Sequence, residues 1–133
     1  MAHLIACLGS DKETWNDVSA VIQSGFFDRV YIITNDFGAQ HYVKPSVKSN
    51  KSDVKINIIQ LNFTKPSEEL VPELYIILKK HFLEDKIQDL DIAVNIISGT
   101  GKEHAIVIST LMKLGYGIRL VDLDKDRNLL EMM

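Results

Sequence analysis

Several things are scarce in this chain of 133 residues, and each scarcity narrows what it can do. There is one cysteine, Cys7, so no internal disulfide forms, and a reducing cytoplasm is the compartment that fits. No basic N-terminal region runs into a long apolar stretch, so no secretory leader is read. No apolar run approaches the length that spans a bilayer. Basic charge is not in excess: 15 Lys and Arg against 18 Asp and Glu leave a formal net charge of −3. That argues against a protein that coats double-stranded nucleic acid, which is usually basic. It leaves a small anionic ligand open, because such binding depends on local charge. No internal repeat and no low-complexity tract is visible.

The familiar cofactor signatures are missing too. A Walker A loop needs a glycine, four residues, then Gly-Lys and a hydroxyl residue. Here Ile96 stands at the first glycine position and Glu103 at the hydroxyl position. The dinucleotide pattern G-x-G-x-x-G starts at Gly99 and Gly101 but meets His104 where its last glycine belongs. The histidines are His3, His41, His81 and His104, and no two have metal-ligand spacing on one helix. Asp122, Asp124 and Asp126 alternate around a turn without the glycine and distal glutamate of a calcium loop. No metal and no cofactor are therefore expected.

What is present is an ordinary globular balance, 46% hydrophobic and 25% charged, in a chain long enough to bury a core as one domain, residues 1–133. Leu4–Leu8 is a short apolar run closed by Gly9-Ser10-Asp11, the pattern of a strand buried on both faces. Cys7 lies inside it and reads as core. Lys12–Ser24 places Trp15, Val18, Val21 and Ile22 on one helical face, with Ser10 or Asp11 able to cap it and Gly25 able to end it. Arg29–Thr34 is a second strand, stopped by Asn35-Asp36-Phe37-Gly38. Gly38–Ser52 reads as a loop because of Pro45 and its Ser, Asn and Lys content. It is either a solvated excursion or, with Phe37, His41, Tyr42, Lys44, Lys48 and Lys51, a cover for a ligand.

Val54–Leu61 is a third strand. Thr64–Lys86 is helical, with Leu70, Leu74, Ile77, Leu78 and Phe82 on one face; Pro66 suits the first turn, and Pro72 predicts either a later start or a kink. Ile92–Ile97 is a fourth strand. Ala105–Leu114 is apolar nearly all round, which predicts a well-buried helix, in part against a second subunit. Ile118–Leu123 and Asn128–Met132 read as strands joined by a hairpin. Alternating strands and helices of this kind predict an α/β protein: a Rossmann-like three-layer sandwich with a mostly parallel sheet of about six strands, ending in a β-hairpin.

In such sheets ligands bind beyond the carboxyl ends of the strands, where the strand order reverses. An order of the 3-2-1-4-5 type brings Gly9-Ser10 beside Ser98-Gly-Thr-Gly-Lys102. Both segments open helices, so N–H groups and positive dipole ends face one crevice. Gly99 and Gly101 allow a close approach to the backbone, Lys102 adds a positive charge, and Ser10, Ser98 and Thr100 add hydroxyls. The combination favours an anion, most plausibly phosphate. Asp11, Asn35 and His104 lie at the edges of the same crevice. His104 can face it or pack as a surface residue. A strand-to-helix turn also needs small residues for its own sake, so part of this composition is structural in any α/β protein.

Ile97-Ser-Gly-Thr-Gly-Lys102, between an apolar strand and an apolar helix, resembles the Ser/Thr-Gly-Gly-Thr-Lys motif of CRISPR-associated Rossmann-fold (CARF) domains. Leu8-Gly-Ser10 resembles the other ligand loop of that family, and Ile118–Met132 matches its terminal hairpin. The chain departs from the pattern in carrying Thr100-Gly101 where Gly-Thr is common. The resemblance implies a domain that binds a cyclic oligoadenylate or a related second messenger across a homodimer two-fold axis. The ligand-contacting positions it implies are Gly9, Ser10, Asp11, Asn35, Ser98, Gly99, Thr100, Gly101, Lys102 and His104. Members of this kind act as sensors for a separate effector, as sinks, or as metal-independent ring nucleases. In the last case Ser10 would orient the ribose or phosphate, and Lys102 would stabilise charge while the 2′-hydroxyl attacks.

Overall fold

The computed structural model describes residues 2–25, 27–47 and 54–132. Six strands form one sheet in the order β3-β2-β1-β4-β5-β6. The strands are β1 (Ala2–Leu8), β2 (Phe27–Thr34), β3 (Lys55–Gln60), β4 (Asp91–Asn95), β5 (Gly117–Leu123) and β6 (Leu129–Glu131). The first five run parallel, and β6 pairs antiparallel with β5. The expected Rossmann-like arrangement with its terminal hairpin is therefore the one observed.

The central strands β1, β2 and β4 are buried on both faces because helices cover both, whereas β6 at the edge is exposed. Ile5 and Cys7 of β1 point to one side, where they pack with Leu70, Leu74 and Leu78 of α3 (Ser67–Glu84) and Ile106, Val107 and Leu111 of α4 (Gly101–Leu114). Leu4, Ala6 and Leu8 point to the other, against Trp15, Val18, Val21 and Ile22 of α1 (Trp15–Ser24). Each large side chain removed from water in this way contributes roughly 1.5–3 kcal/mol. The alternation along β1 is the two-residue period of a strand serving two cores at once.

Three local expectations need correction. The stretch after β2 is not loop throughout: Asp36–His41 forms a short helix, α2, because the Asn35 side chain accepts the Gly38 N–H and caps it. Beyond it Val43–Val47 has no regular structure, and Lys48, Lys51 and Ser52 lie outside the described residues. The α3 helix does not start late, near Pro72. Pro66 serves as its N-cap, and the helix passes through Pro72, which sits on the exposed side without an N–H to give to Glu68. Finally, α4 begins at Gly101, before the apolar run, and its own chain buries it on one side. Glu103, Ile106, Val107, Thr110 and Leu111 face inward, whereas Ala105 and Ser109 are exposed and Met112 is 66% exposed.

Candidate functional site

The strand order reverses between β1 and β4, which pair from Leu4–Ala93 to Ala6–Asn95. Their carboxyl ends meet backbone to backbone. A Cβ placed on Gly9 would lie 2.7 Å from Gly99 Cα and 2.8 Å from Gly99 N, closer than any real side chain allows. Gly99 has φ +96, and a Cβ there would also strike the Glu103 carboxylate. Glycine is thus required at both positions, and the two loops form one surface.

A set of buried hydrogen bonds fixes this surface. The Gly9 N–H donates to Ser98 Oγ at 2.8 Å, and Trp15 Nε1–H donates to the Gly9 carbonyl at 2.8 Å. The Ser98 and Thr14 hydroxyls share a hydrogen bond of 2.6 Å. Ser98 has no exposed surface, so its hydroxyl locks the loops together and is not presented to solvent. Asp11 accepts the Glu13 N–H and caps a 3-10 turn, Lys12–Thr14, ahead of α1.

On the α4 side Thr100 and Glu103 form a reciprocal capping box, which satisfies two N–H groups of the first turn. Ser10 is exposed and accepts a hydrogen bond from Asn35 Nδ2 at 2.7 Å. His104 turns back onto its own loop, its Nε2 2.8 Å from the Ser98 carbonyl oxygen; a carbonyl can only accept, so this nitrogen carries the proton. Lys102 is engaged within the protein. Its Nζ donates to the carbonyl oxygens of Phe63 at 2.8 Å and Lys65 at 2.6 Å, both in the loop between β3 and α3.

The sequence-derived residues therefore fall into two groups. Gly9, Ser10, Gly99, Thr100 and Gly101 lie on the two loops that meet, with Asn35 bonded to Ser10, and Gly101 looks onto open space. Ser98, Asp11 and His104 hold those loops, and Lys102 ties them to a third. Lys12 is a cation that sequence reading passed over. Its Nζ lies 5.4 Å from the Phe37 ring centre and 5.9 Å from that of Trp15, an arrangement in which ring faces attract the charge.

Next to the crevice, between the carboxyl ends of β2 and β3, is a cleft of about 630 Å³. Asn35, Asp36 and Phe37 form one side, and Gln60–Thr64 the other. The signal for it was the alternation Gln60-Leu-Asn-Phe-Thr64 directly after a strand, which places amides on one face and the buried Leu61 on the other. A larger groove of about 790 Å³ lies between α3 and α4, lined by Val71, Pro72, Tyr75, Ile76, Ser109 and Lys113 among others; it belongs to the outer helical layer. Among the described residues no group of three or more His, Cys, Asp or Glu is placed to hold a metal ion, and no helix is long and apolar enough to cross a membrane.

The strongly perturbed titratable groups lie away from the crevice surface. Burial, assisted by the Glu103 charge, pushes the Cys7 thiol up to about 12. At the other end of the sheet, Tyr31 donates to Asp85, which also faces Arg29 and Lys55. Burial alone would raise the Asp85 pKa, but the Tyr31 hydrogen bond and the Arg29, Lys55 and His81 charges outweigh it and bring it down. Burial and the same carboxylate hold the Tyr31 hydroxyl well above the usual phenol range.

No family model and no curated protein matches this sequence. Among solved structures, Csm6 of Enterococcus italicus bound to cyclic hexa-2′-fluoro-hexa-dAMP has a similar fold, with a TM-score of 0.61 at 13% identity. The alignment covers 94% of this chain and 34% of that one, so this chain spans about a third of the length of its neighbour. The likeness is one of fold, and it accords with the CARF-like arrangement of elements.

Proposed function

We propose that this domain binds a cyclic oligoadenylate-type second messenger in the cytoplasm, across the two-fold axis of a homodimer, and passes the signal to a separate effector. The observation that supports this most is the meeting of Gly9-Ser10 with Gly99–Lys102 at the point where the strand order reverses. Small residues dominate both loops, Gly101 looks onto open space, and the start of α4 lies beside it, features that suit a phosphate. The fold neighbour carries a cyclic hexanucleotide, and a symmetric ring suits two identical crevices.

Cleavage of the ring is the narrower version of this reading. The ribose 2′-oxygen would attack the adjacent phosphorus, a 2′,3′-cyclic phosphate would form, and the 5′-oxygen would leave and take up a proton. Ser10 would orient the phosphate or ribose, and Lys102 would stabilise the added negative charge. For that, Lys102 must leave the carbonyls of Phe63 and Lys65. This double hydrogen bond favours a binding module over a nuclease, with at most slow turnover.

Calorimetry with cyclic tetra- and hexa-adenylate tests the ligand, sedimentation tests the dimer, and chromatography of the incubated ring tests cleavage. Saturable binding at one ring per two chains is expected. Absence of binding at micromolar protein would overturn the ligand class, and ring binding without linear product would assign a sensor or sink.

A further inference from the structure

We infer that Lys12 is an anion contact of the Gly9-Ser10 loop, a cation that rests on aromatic rings and leaves them for a phosphate. The inference rests on the phosphate reading of that loop and adds to it a charge that no motif marks. Lys12 is exposed and follows Ser10 by two positions. Its Nζ lies 5.4 Å from the Phe37 ring centre and 5.9 Å from that of Trp15. Both rings belong to segments bonded to the loop. Trp15 Nε1–H donates to the Gly9 carbonyl at 2.8 Å. Asn35, two positions before Phe37, donates to Ser10 Oγ at 2.7 Å. The ammonium is therefore stationed beside the two residues on which a phosphate is proposed to sit.

Little holds the cation where it rests. Among the described residues no ion pair uses Lys12. Nearby carboxylates have other partners: Asp11 accepts the Glu13 N–H, and Asp36 accepts the side-chain amides of Gln40 and Gln60. Ring faces attract an ammonium, but at an exposed position that attraction is weak. A charge-assisted hydrogen bond to a phosphate oxygen is the stronger contact. The flexible four-carbon stem lets Nζ exchange one for the other while the backbone stays in place.

Lys102 is bound differently. It donates to the carbonyl oxygens of Phe63 at 2.8 Å and Lys65 at 2.6 Å, and both bonds must break before it meets an anion. Lys12 gives up only ring contact. Of the two cations Lys12 responds first, and an anion is then held with the Lys102 clamp intact. The exchange also leaves a trace. Trp15 is the single tryptophan of the chain, so a cation that leaves its ring face changes the one indole signal.

Calorimetry at several salt concentrations measures binding of cyclic tetra-adenylate to the full chain and to Lys12→Met, Lys12→Gln and Lys12→Arg. Inorganic pyrophosphate, which carries no base, is titrated separately while Trp15 emission is followed. Lys12→Met and Lys12→Gln should bind the ring about tenfold more weakly, the value of one hydrogen bond to a charged group, and with a shallower salt dependence. Lys12→Arg should keep both affinity and salt dependence, and thermal unfolding should show all three variants folded. Pyrophosphate should shift the Trp15 emission of the unaltered chain and leave that of Lys12→Met unmoved. A ring that binds all four chains with one affinity and one salt dependence would overturn the role of Lys12 and leave the ligand reading standing. If no ring binds but pyrophosphate shifts Trp15 emission only with a cation at position 12, the Lys12 contact stands and the ring is the wrong ligand. If neither anion binds, both readings fall.

Discussion

Lys102, in the first turn of α4, holds the carbonyl oxygen of Phe63, in the loop after β3, at 2.8 Å. A second bond to Lys65 completes a clamp between two segments almost forty positions apart. The residue that sequence logic places on a phosphate therefore has a structural task as well.

Lys102→Ala should release the loop. Stability should fall by about 1 kcal/mol, the net value of a typical hydrogen bond, and amides of residues 63–65 should exchange faster with solvent. Denaturant unfolding and hydrogen exchange measure both. Unchanged exchange in that loop would show that the clamp does not order it. A loss of ring binding in this variant has two routes, through the phosphate or through the loop; Lys102→Met, which keeps the stem and loses the charge, should weaken binding and its salt dependence together.

Glycine substitutions separate steric need from convenience. Gly9→Ala forces a methyl group against Gly99 backbone at 2.7 Å and should cost about 2 kcal/mol or more. Gly101→Ala meets nothing within 4 Å and replaces a helical glycine, so stability should rise by about 0.5–1 kcal/mol. Comparable melting temperatures for the two variants would contradict the close approach of the loops.

Cys7 gives a pH dependence with a defined sign. The unfolded thiol ionises near 9.0, the folded one only near 12. Between these values the unfolded state binds fewer protons, so stability declines as pH rises from about 9 toward 12, with a slope approaching 1.4 kcal/mol per pH unit from this group. Cys7→Ala should flatten that slope. At pH 8 a thiol reagent should modify the native protein only as fast as it unfolds; immediate reaction would place Cys7 outside the core.

The Tyr31–Asp85 pair makes the opposite prediction in acid. Asp85 is held below its ordinary 3.8, so its contribution is present above that value and is lost as pH falls through the folded pKa. Tyr31→Phe removes a hydrogen bond to the carboxylate and should move the midpoint of acid unfolding upward, as followed by circular dichroism. An unmoved midpoint would mean that Arg29 and Lys55 suffice.

Much of the fold was legible because parallel strands covered on both sides are nearly continuous apolar runs, as in Leu4–Leu8 and Val30–Ile33. The helix faces of α1 and α3 followed from spacing. The short helix α2 was not legible: six residues hold too few turns for a periodic pattern, and Asn35 followed by Gly38 reads as a turn until the capping bond is seen. The meeting of Gly9 with Gly99 followed from topology. The tasks of individual side chains did not. Ser98 reads as a ligand hydroxyl, yet the structure buries it under Thr14 and Gly9, and the target of Lys102 depends on the path of a loop nearly forty residues earlier.

The bond from the Gly9 N–H to Ser98 spans 89 positions, and this has a consequence for biosynthesis. A chain emerging from the ribosome completes β1, β2 and β3 long before it holds any crevice. Only when β4 slots in beside β1 do the two loops touch. Such non-local pairing is the slow part of folding, so the crevice and the last cooperative step arrive together. A ligand that grips both loops therefore selects finished molecules, and by mass action it guards them against reopening.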